Sequence, residues 1–298
     1  VDSSLNNANL RNADLGNVIL HDTPLNNIIL IGANISSVNL SSIDLTNVLL
    51  KEPDNSHVNL SGQDLSGRDL SGINLSVKDL SFSILTNVDL SGRNLTGANL
   101  TGAFLFGTTL AGADLSYTSL PYAYLSGKDL TGTNLSGADL SYANLDGVDL
   151  SGKDLTGTIL RGIDLSGKDL TGTILREADF SYANLSGQDL SGKDLTGTIL
   201  MAANLANVNL SGVDLSDMDL SYAILTNVDL SGKDLTDTRL DLTNLTGANL
   251  ENANLSSASF VDVDLTVIKN KSLAGADLSG ASFAHSNLSG VDLSGTFL

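Results

Sequence analysis

Ser136-Gly137-Ala138-Asp139-Leu140-Ser141-Tyr142-Ala143-Asn144-Leu145-Asp146-Gly147-Val148-Asp149-Leu150 repeats one five-residue unit: a small residue, Asp or Asn, Leu, a polar residue, and often Gly. Outward from this stretch the frame persists. From Leu5 to Leu265 there are 53 positions five residues apart, and 49 of them are Leu, the others being Ile35, Asn55, Phe180 and Phe260. After a slip of three residues the frame resumes at Leu273, Leu278, Phe283, Leu288, Leu293 and Leu298. A period of five matches neither the helical 3.6 nor the strand 2.0, so it marks a repeat architecture.

Glycine shows what the backbone does with this period. Of 29 glycines, 28 lie two residues after the frame position, and only Gly16 does not. Glycine takes positive φ without steric cost, as the third position of a type II turn requires. Asn7, Asn12, Asn17, Asn27 and Asn47 hold that slot near the start of the chain, and Asn tolerates the same conformation. Each unit is therefore a short extended piece and a tight turn. Four units close a square coil of twenty residues, with Leu on its axis.

The A(D/N)LXX pattern, carried by units such as Ala138-Asp139-Leu140 and Ala248-Asn249-Leu250, resembles the pentapeptide-repeat family over nearly the whole chain. The resemblance implies an all-β fold, a right-handed quadrilateral β-helix. At twenty residues per coil, 298 residues give about 15 coils, or roughly 70 Å at strand spacing. One domain spanning 1–298 is expected, since solenoids grow in one dimension.

Two stretches depart from the frame. In Lys51-Glu52-Pro53-Asp54-Asn55-Ser56-His57 the count of five is kept but Asn replaces Leu, which reads as a distorted corner. Between Thr266 and Ser272, with Lys269 and Lys271, three residues are inserted, which reads as a bulged surface loop. The chain starts at Val1 rather than Met, as a mature form or an excised fragment would, and neither end reads as capped. Uncapped coil edges invite end-to-end pairing.

Composition excludes several chemistries. With no Cys there are no disulfides and no Cys-ligated zinc. No apolar stretch of about 18 residues exists, so no membrane-spanning helix is expected. His21, His57 and His285 lie too far apart in sequence to converge, and the abundant Ser and Asp have no His partner for a triad. The Ser-Gly dipeptides are turns, not a phosphate loop. No enzyme activity, catalytic residue, cofactor or metal site is expected. The net charge is −19, from 34 acidic and 15 basic residues, which disfavours direct nucleic-acid binding.

Residues twenty apart stack in columns. Asp69, Asp89, Asp129, Asp149, Asp169, Asp189 and Asp229 form one acidic column, interrupted by Thr109 and Asn209; Asp114, Asp154, Asp194, Asp214 and Asp234 lie on the next face. Stacked carboxylates repel. Arg68, Lys78, Arg93, Lys128, Lys153, Lys168, Lys193 and Lys233 each precede an Asp or Asn, in a slot that the family resemblance implies usually points inward and holds Ala, Val, Ser or Thr. Their stems are expected along the wall, with the charged groups reaching out to the Asp columns. A second column is aromatic: Tyr122, Tyr142, Tyr182 and Tyr222, with Phe82 on the same line, Tyr117 and Tyr124 nearby, and Ile159 and Ile199 adding apolar surface. It reads equally as a ladder that stabilises the stack or as an interface, where exposed Tyr is enriched.

Two functions suit such a chain. The first is a non-catalytic rigid scaffold, a protein-interaction module that binds a protein partner or itself. The alternative, implied by the family resemblance, is a DNA mimic that binds a type II topoisomerase, gyrase. Charge density weighs against it. Duplex DNA carries about 0.6 charge per Å, whereas −19 over the expected length gives about 0.3 per Å.

Overall fold

The five-residue unit leaves five amide groups to satisfy, and this requirement builds the coil. In the computed structural model, which describes residues 4–15, 18, 20, 25, 27–30, 33, 60–70 and 74–298, the unit around Leu80 shows how. The Ser83 amide closes the turn onto the Leu80 carbonyl at 3.1 Å. The amides of Leu80 and Phe82 donate to the Asn99 and Thr101 carbonyls of the next coil, both at 2.8 Å. The Ser81 amide is met by a side chain, Asp79 Oδ1, at 3.0 Å. One coil on, the Asn99 amide donates back to the Lys78 carbonyl at 2.8 Å, which is the pattern for the fifth amide.

The chain falls into two compact units, Val1–Asp149 and Leu150–Leu298. In the first, parallel single-residue bridges join Asp64 to Ile84 to Phe104, Asp79 to Asn99 to Ser119 to Asp139, Asp89 to Thr109, and Asn94 to Asp114 to Asn134. Every step is twenty residues, and the four lines are the four sides of a square coil. The second unit repeats the scheme, for example Asp164 to Asn184 to Asn204 to Ile224 to Asn244. Among the described residues no strand lengthens beyond a single-residue bridge, because a turn recurs every five residues. Leu60, Leu65, Leu80, Leu85, Leu90 and Leu95 are fully buried in the first unit, as are Leu155, Leu160, Leu165 and Leu185 in the second. Each contributes about 1.5–3 kcal/mol by leaving water. Small residues before the Asp or Asn, such as Ala98 and Ala138, are also fully buried, so the core is two residues deep on every side.

The stretch 51–57, with His57, and also His21, lies outside the described residues. The 266–272 insertion is more ordered than a bulged loop. It forms two short 3-10 turns, Leu265–Val267 and Lys269–Lys271, with the Asp264 side chain capping the Thr266 amide. Ile268 between them is buried and anchors the segment, while Lys269 and Lys271 stay exposed. Register is then recovered: Asn254 pairs with Asp277 across 23 residues, and Asp277 with Phe297 across 20. Phe260 and Phe283 stack on the axis at 5.0 Å across this insertion.

Candidate functional site: an aromatic corner

The acidic columns are part of the coil's own wiring. Asp89, Asp129, Asp169, Asp189 and Asp229 each accept the amide two residues on, from Ser91, Thr131, Thr171, Ser191 and Ser231, at 2.8–3.1 Å. Asn does the same, as Asn134 does for Ser136. This is why the slot most often holds Asp or Asn. The interruptions of the column are hydrogen-bond donors onto the coil before: Thr109 Oγ1 reaches Asp89, and Asn209 Nδ2 reaches Asp189 at 3.0 Å. Asn249 on Asp229 and Asn254 on Asp234 repeat the device, both at 3.1 Å. Asp69 and Asp149 are exposed as well.

At Asp89 and Asp189 these bonds favour the ionised carboxyl. The Thr109 hydroxyl and then the Ser91 amide keep Asp89 below the usual carboxylate range; for Asp189 the Ser191 hydroxyl and amide do so. For buried Asp179, desolvation pushes upward, but the Ser181 hydroxyl and amide and the Arg161 guanidinium outweigh it. Arg161 Nε sits 2.5 Å from Asp179 Oδ2. A carboxyl whose folded pKa is depressed adds stability that is complete above its unfolded value of about 3.9 and is lost as pH falls through the folded one. Thermal melts between neutral and strongly acidic pH are therefore expected to hold steady down to about pH 4 and to fall steeply below it. An Asp189→Asn variant should lose part of that acid-dependent fall.

The inward-slot cations act on the Asp columns by charge, as Lys193 does on Asp169 and Asp189 and Lys233 on Asp214 and Asp229, while four of them are held at closer range by the coil itself. Arg93, Lys128, Lys193 and Lys233 donate to backbone carbonyls of the coil before. Lys128 Nζ bonds the Leu105 and Thr108 carbonyls at 2.5 and 2.9 Å, and Arg93 Nη2 bonds the Leu70 carbonyl at 3.0 Å. Lys193 Nζ reaches the Thr173 carbonyl and Lys233 Nζ the Val213 carbonyl, both at 3.2 Å. Neutral residues in the slot make the same bond, as Thr118 does to Leu95 at 3.1 Å and Gln188 to Leu165 at 2.6 Å. An ammonium must be satisfied where its stem is buried, and the carbonyls one coil away supply acceptors there. Burial lowers the Lys128 pKa; at Lys233 burial also lowers it, against the opposing pull of Asp229 and Asp214. Lys78 is almost fully buried.

The aromatic residues are placed differently. Phe82, Tyr122 and Tyr142 occupy the turn slot that glycine usually fills, with φ of 56°, 59° and 57°. A left-handed backbone costs an ordinary side chain about 1–2 kcal/mol. The rings lean toward the next coil. Tyr122 and Tyr142 stack at 5.2 Å and 9°. A Cβ at Gly102 would meet the Phe82 ring at 2.8 Å, so that ring lies over the glycine above it. Tyr117 lies over Gly137 in the same manner, on another corner. Beside the Phe82–Tyr142 line, Phe104 and Tyr124 stand in the outward slot of the adjoining side, and Phe106 follows on its turn. These six rings, Phe82, Phe104, Phe106, Tyr122, Tyr124 and Tyr142, remain 48–80% exposed.

In the second unit Tyr182 and Tyr222 occupy turn slots at φ 63°, with Ala202 on the turn between them. Ile199, Ile224 and Leu242 are exposed there too, while Ile159 is half-buried and bridged to Asp179. The structure thus brings Tyr122 and Tyr142 into contact but leaves Tyr182 and Tyr222 on separate turns. Phe104 and Phe106 were not singled out by the Tyr column, yet they complete the corner. Sorting every aromatic residue by its place in the twenty-residue frame would have found them. Among the described residues no group of three His, Asp or Glu side chains is placed to hold a metal, and no helix is long and apolar enough to cross a membrane.

No curated protein matches the chain. Among solved structures it is similar to full-length QnrB1, a plasmid-mediated fluoroquinolone resistance protein, at 18% identity over 72% of this chain and 92% of that one, with a TM-score of 0.39. It is also similar to HetL from the cyanobacterium Nostoc sp. strain PCC 7120, a pentapeptide repeat protein involved in heterocyst differentiation regulation. There the identity is 28% over 77% of this chain and 84% of that one, with a TM-score of 0.23. Rfr23, a pentapeptide repeat protein from the cyanobacterium Cyanothece 51142, is 22% identical over 48% of this chain and 90% of that one, with a TM-score of 0.17. The assignment itself rests on the family profile for pentapeptide repeats, which matches residues 56–92, 79–112, 113–152, 154–181, 178–217, 198–237, 214–248, 234–266 and 270–298. With its twenty-residue coils, four bridged sides and axial Leu, this chain belongs to the pentapeptide-repeat family, whose fold is the right-handed quadrilateral β-helix.

Proposed function

We propose that the chain is a non-catalytic scaffold that binds a protein partner, with the aromatic corner as its contact surface. One observation carries this reading: six aromatic rings lie exposed together on the first unit, three of them in turns where they cost backbone strain that glycine would avoid. Tyr brings large contact area at little loss of side-chain freedom. The Asp columns suit a contact less well. Their carboxylates are engaged by the coil's own amides, and desolvating stacked charges costs more than a modest partner charge returns.

Replacing Tyr122, Tyr124 and Tyr142 by Ser together is expected to weaken partner binding or self-association by about tenfold or more, a loss equivalent to one good interface anchor. Replacing Asp149 and Asp169 by Asn should change it little. Sedimentation velocity on both variants, alone and with candidate partners, separates the two. Loss of association in the Asp variant alone would move the function to the charged face.

A further inference from the structure

The aromatic corner sits in a surface from which positive charge has been withdrawn. Between residues 60 and 149 there are nine Asp and four basic residues, Arg68, Lys78, Arg93 and Lys128, a net of 4 − 9 = −5. All four basic residues occupy the inward slot and none is exposed. Arg93 and Lys128 donate to backbone carbonyls, and Lys78 is buried. The outward charge of this stretch is therefore carried by carboxylates. Asp79 and Asp139 lie on the short strands that lead into Phe82 and Tyr142, and exposed Asp146 sits on the turn just after Tyr142.

Aromatic faces attract cations through their quadrupole, and nearby carboxylates add to that attraction. Arg in particular stacks on rings while pairing with carboxylates. A polyanion is repelled from such a surface. A second copy would bring a net charge of −19 against −19. From this juxtaposition of exposed rings, outward carboxylates and inward-tied cations we infer that the corner formed by Phe82, Phe104, Tyr122, Tyr124 and Tyr142 docks an extended Arg- or Lys-rich segment of a partner protein. This rests on the scaffold reading and names the chemistry of the partner.

The turn geometry supplies a clean variant. Glycine is the usual resident of the slot that Tyr122 and Tyr142 hold, so Tyr122→Gly with Tyr142→Gly removes the rings and relieves the left-handed strain together. The coil should stay folded, which circular dichroism and thermal melting of the full chain verify. Fluorescence anisotropy at physiological ionic strength then measures three labelled probes: an Arg-Gly repeat peptide, a Glu-Gly repeat peptide and a neutral Leu-rich peptide of the same length.

The Arg-Gly peptide is expected to bind the full chain, to bind the double variant about tenfold more weakly, and to bind Asp146→Asn about twofold more weakly. The Glu-Gly peptide should not bind. Equal binding of the Arg-Gly peptide to the double variant would overturn the inference by placing the cations on the Asp columns. Absence of Arg-Gly binding would overturn it outright. Tighter binding of the Leu-rich peptide, lost in the double variant, would overturn the choice of a cationic partner while leaving the corner an interface. The sedimentation comparison of the Ser and Asn variants tests the interface separately.

Discussion

Leu140→Asp is expected to cost more than about 5 kcal/mol and to open the coils around it, because Leu→Ala in a packed core already costs about 2–5 kcal/mol and a buried carboxylate adds its desolvation. Leu140 is fully buried on the axis of the first unit. Its coil also supplies acceptors to the coil before: the Leu120 amide donates to the Asp139 carbonyl at 2.7 Å and the Tyr122 amide to the Ser141 carbonyl at 2.8 Å. In a solenoid each coil is covered only by its neighbours, so damage spreads along the stack before it reaches distant coils. Hydrogen exchange should show the Leu120 and Tyr122 amides losing protection first, with the Leu80 amide, bonded to Asn99, losing least. Retained protection at Leu120 would contradict the axial packing.

Phe180→Ala is expected to destabilise the second unit by about 3–5 kcal/mol, whereas Phe180→Leu should cost less than about 1.5 kcal/mol. Phe180 stands where the repeat almost always has Leu, and it is among the largest fully buried side chains. Its backbone is in the ordinary register, with its amide on the Ile199 carbonyl at 2.8 Å and its carbonyl accepting the Ala183 amide at 2.9 Å. The site is thus a normal coil side with a larger plug. Leu restores the repeat's own residue, while Ala leaves a cavity that a coil tied by hydrogen bonds on both sides cannot collapse. Urea midpoints at constant slope measure both changes. If the Leu variant lost as much as the Ala variant, the ring itself, not its volume, would be what the axis requires.

Much of the fold was legible from Leu spacing and Gly placement, and the reason is local. A unit of five residues meets its turn requirement and presents its axial side chain without help from distant sequence. A fixed frame turns spacing into stacking where rings fall on successive coils, as Tyr122 and Tyr142 do. The acidic column shows what spacing leaves out. Spacing showed carboxylates in line, and only the bonds from the Ser and Thr amides show that Asp and Asn are there to finish the turn. The content of the 266–272 insertion was not legible. That Ile268 goes inward depends on the space left by the coils above and below, which no local pattern encodes.

The sequence by itself determined the repeat, the coil of twenty residues, the axial Leu and the columns, because all of these follow from where turns fall along one chain. The tertiary structure alone decided where the polar ends of long side chains go. Lys128 and Arg93 turn to carbonyls of the preceding coil because those acceptors lie within reach of a buried stem, and twenty or more residues of sequence separate donor from acceptor. It also decided which rings stay in water. Phe104, Phe106 and Tyr124 are exposed because the outward slot and the turn have no coil beside them to cover a ring. What remains uncovered there is the surface proposed above as the contact.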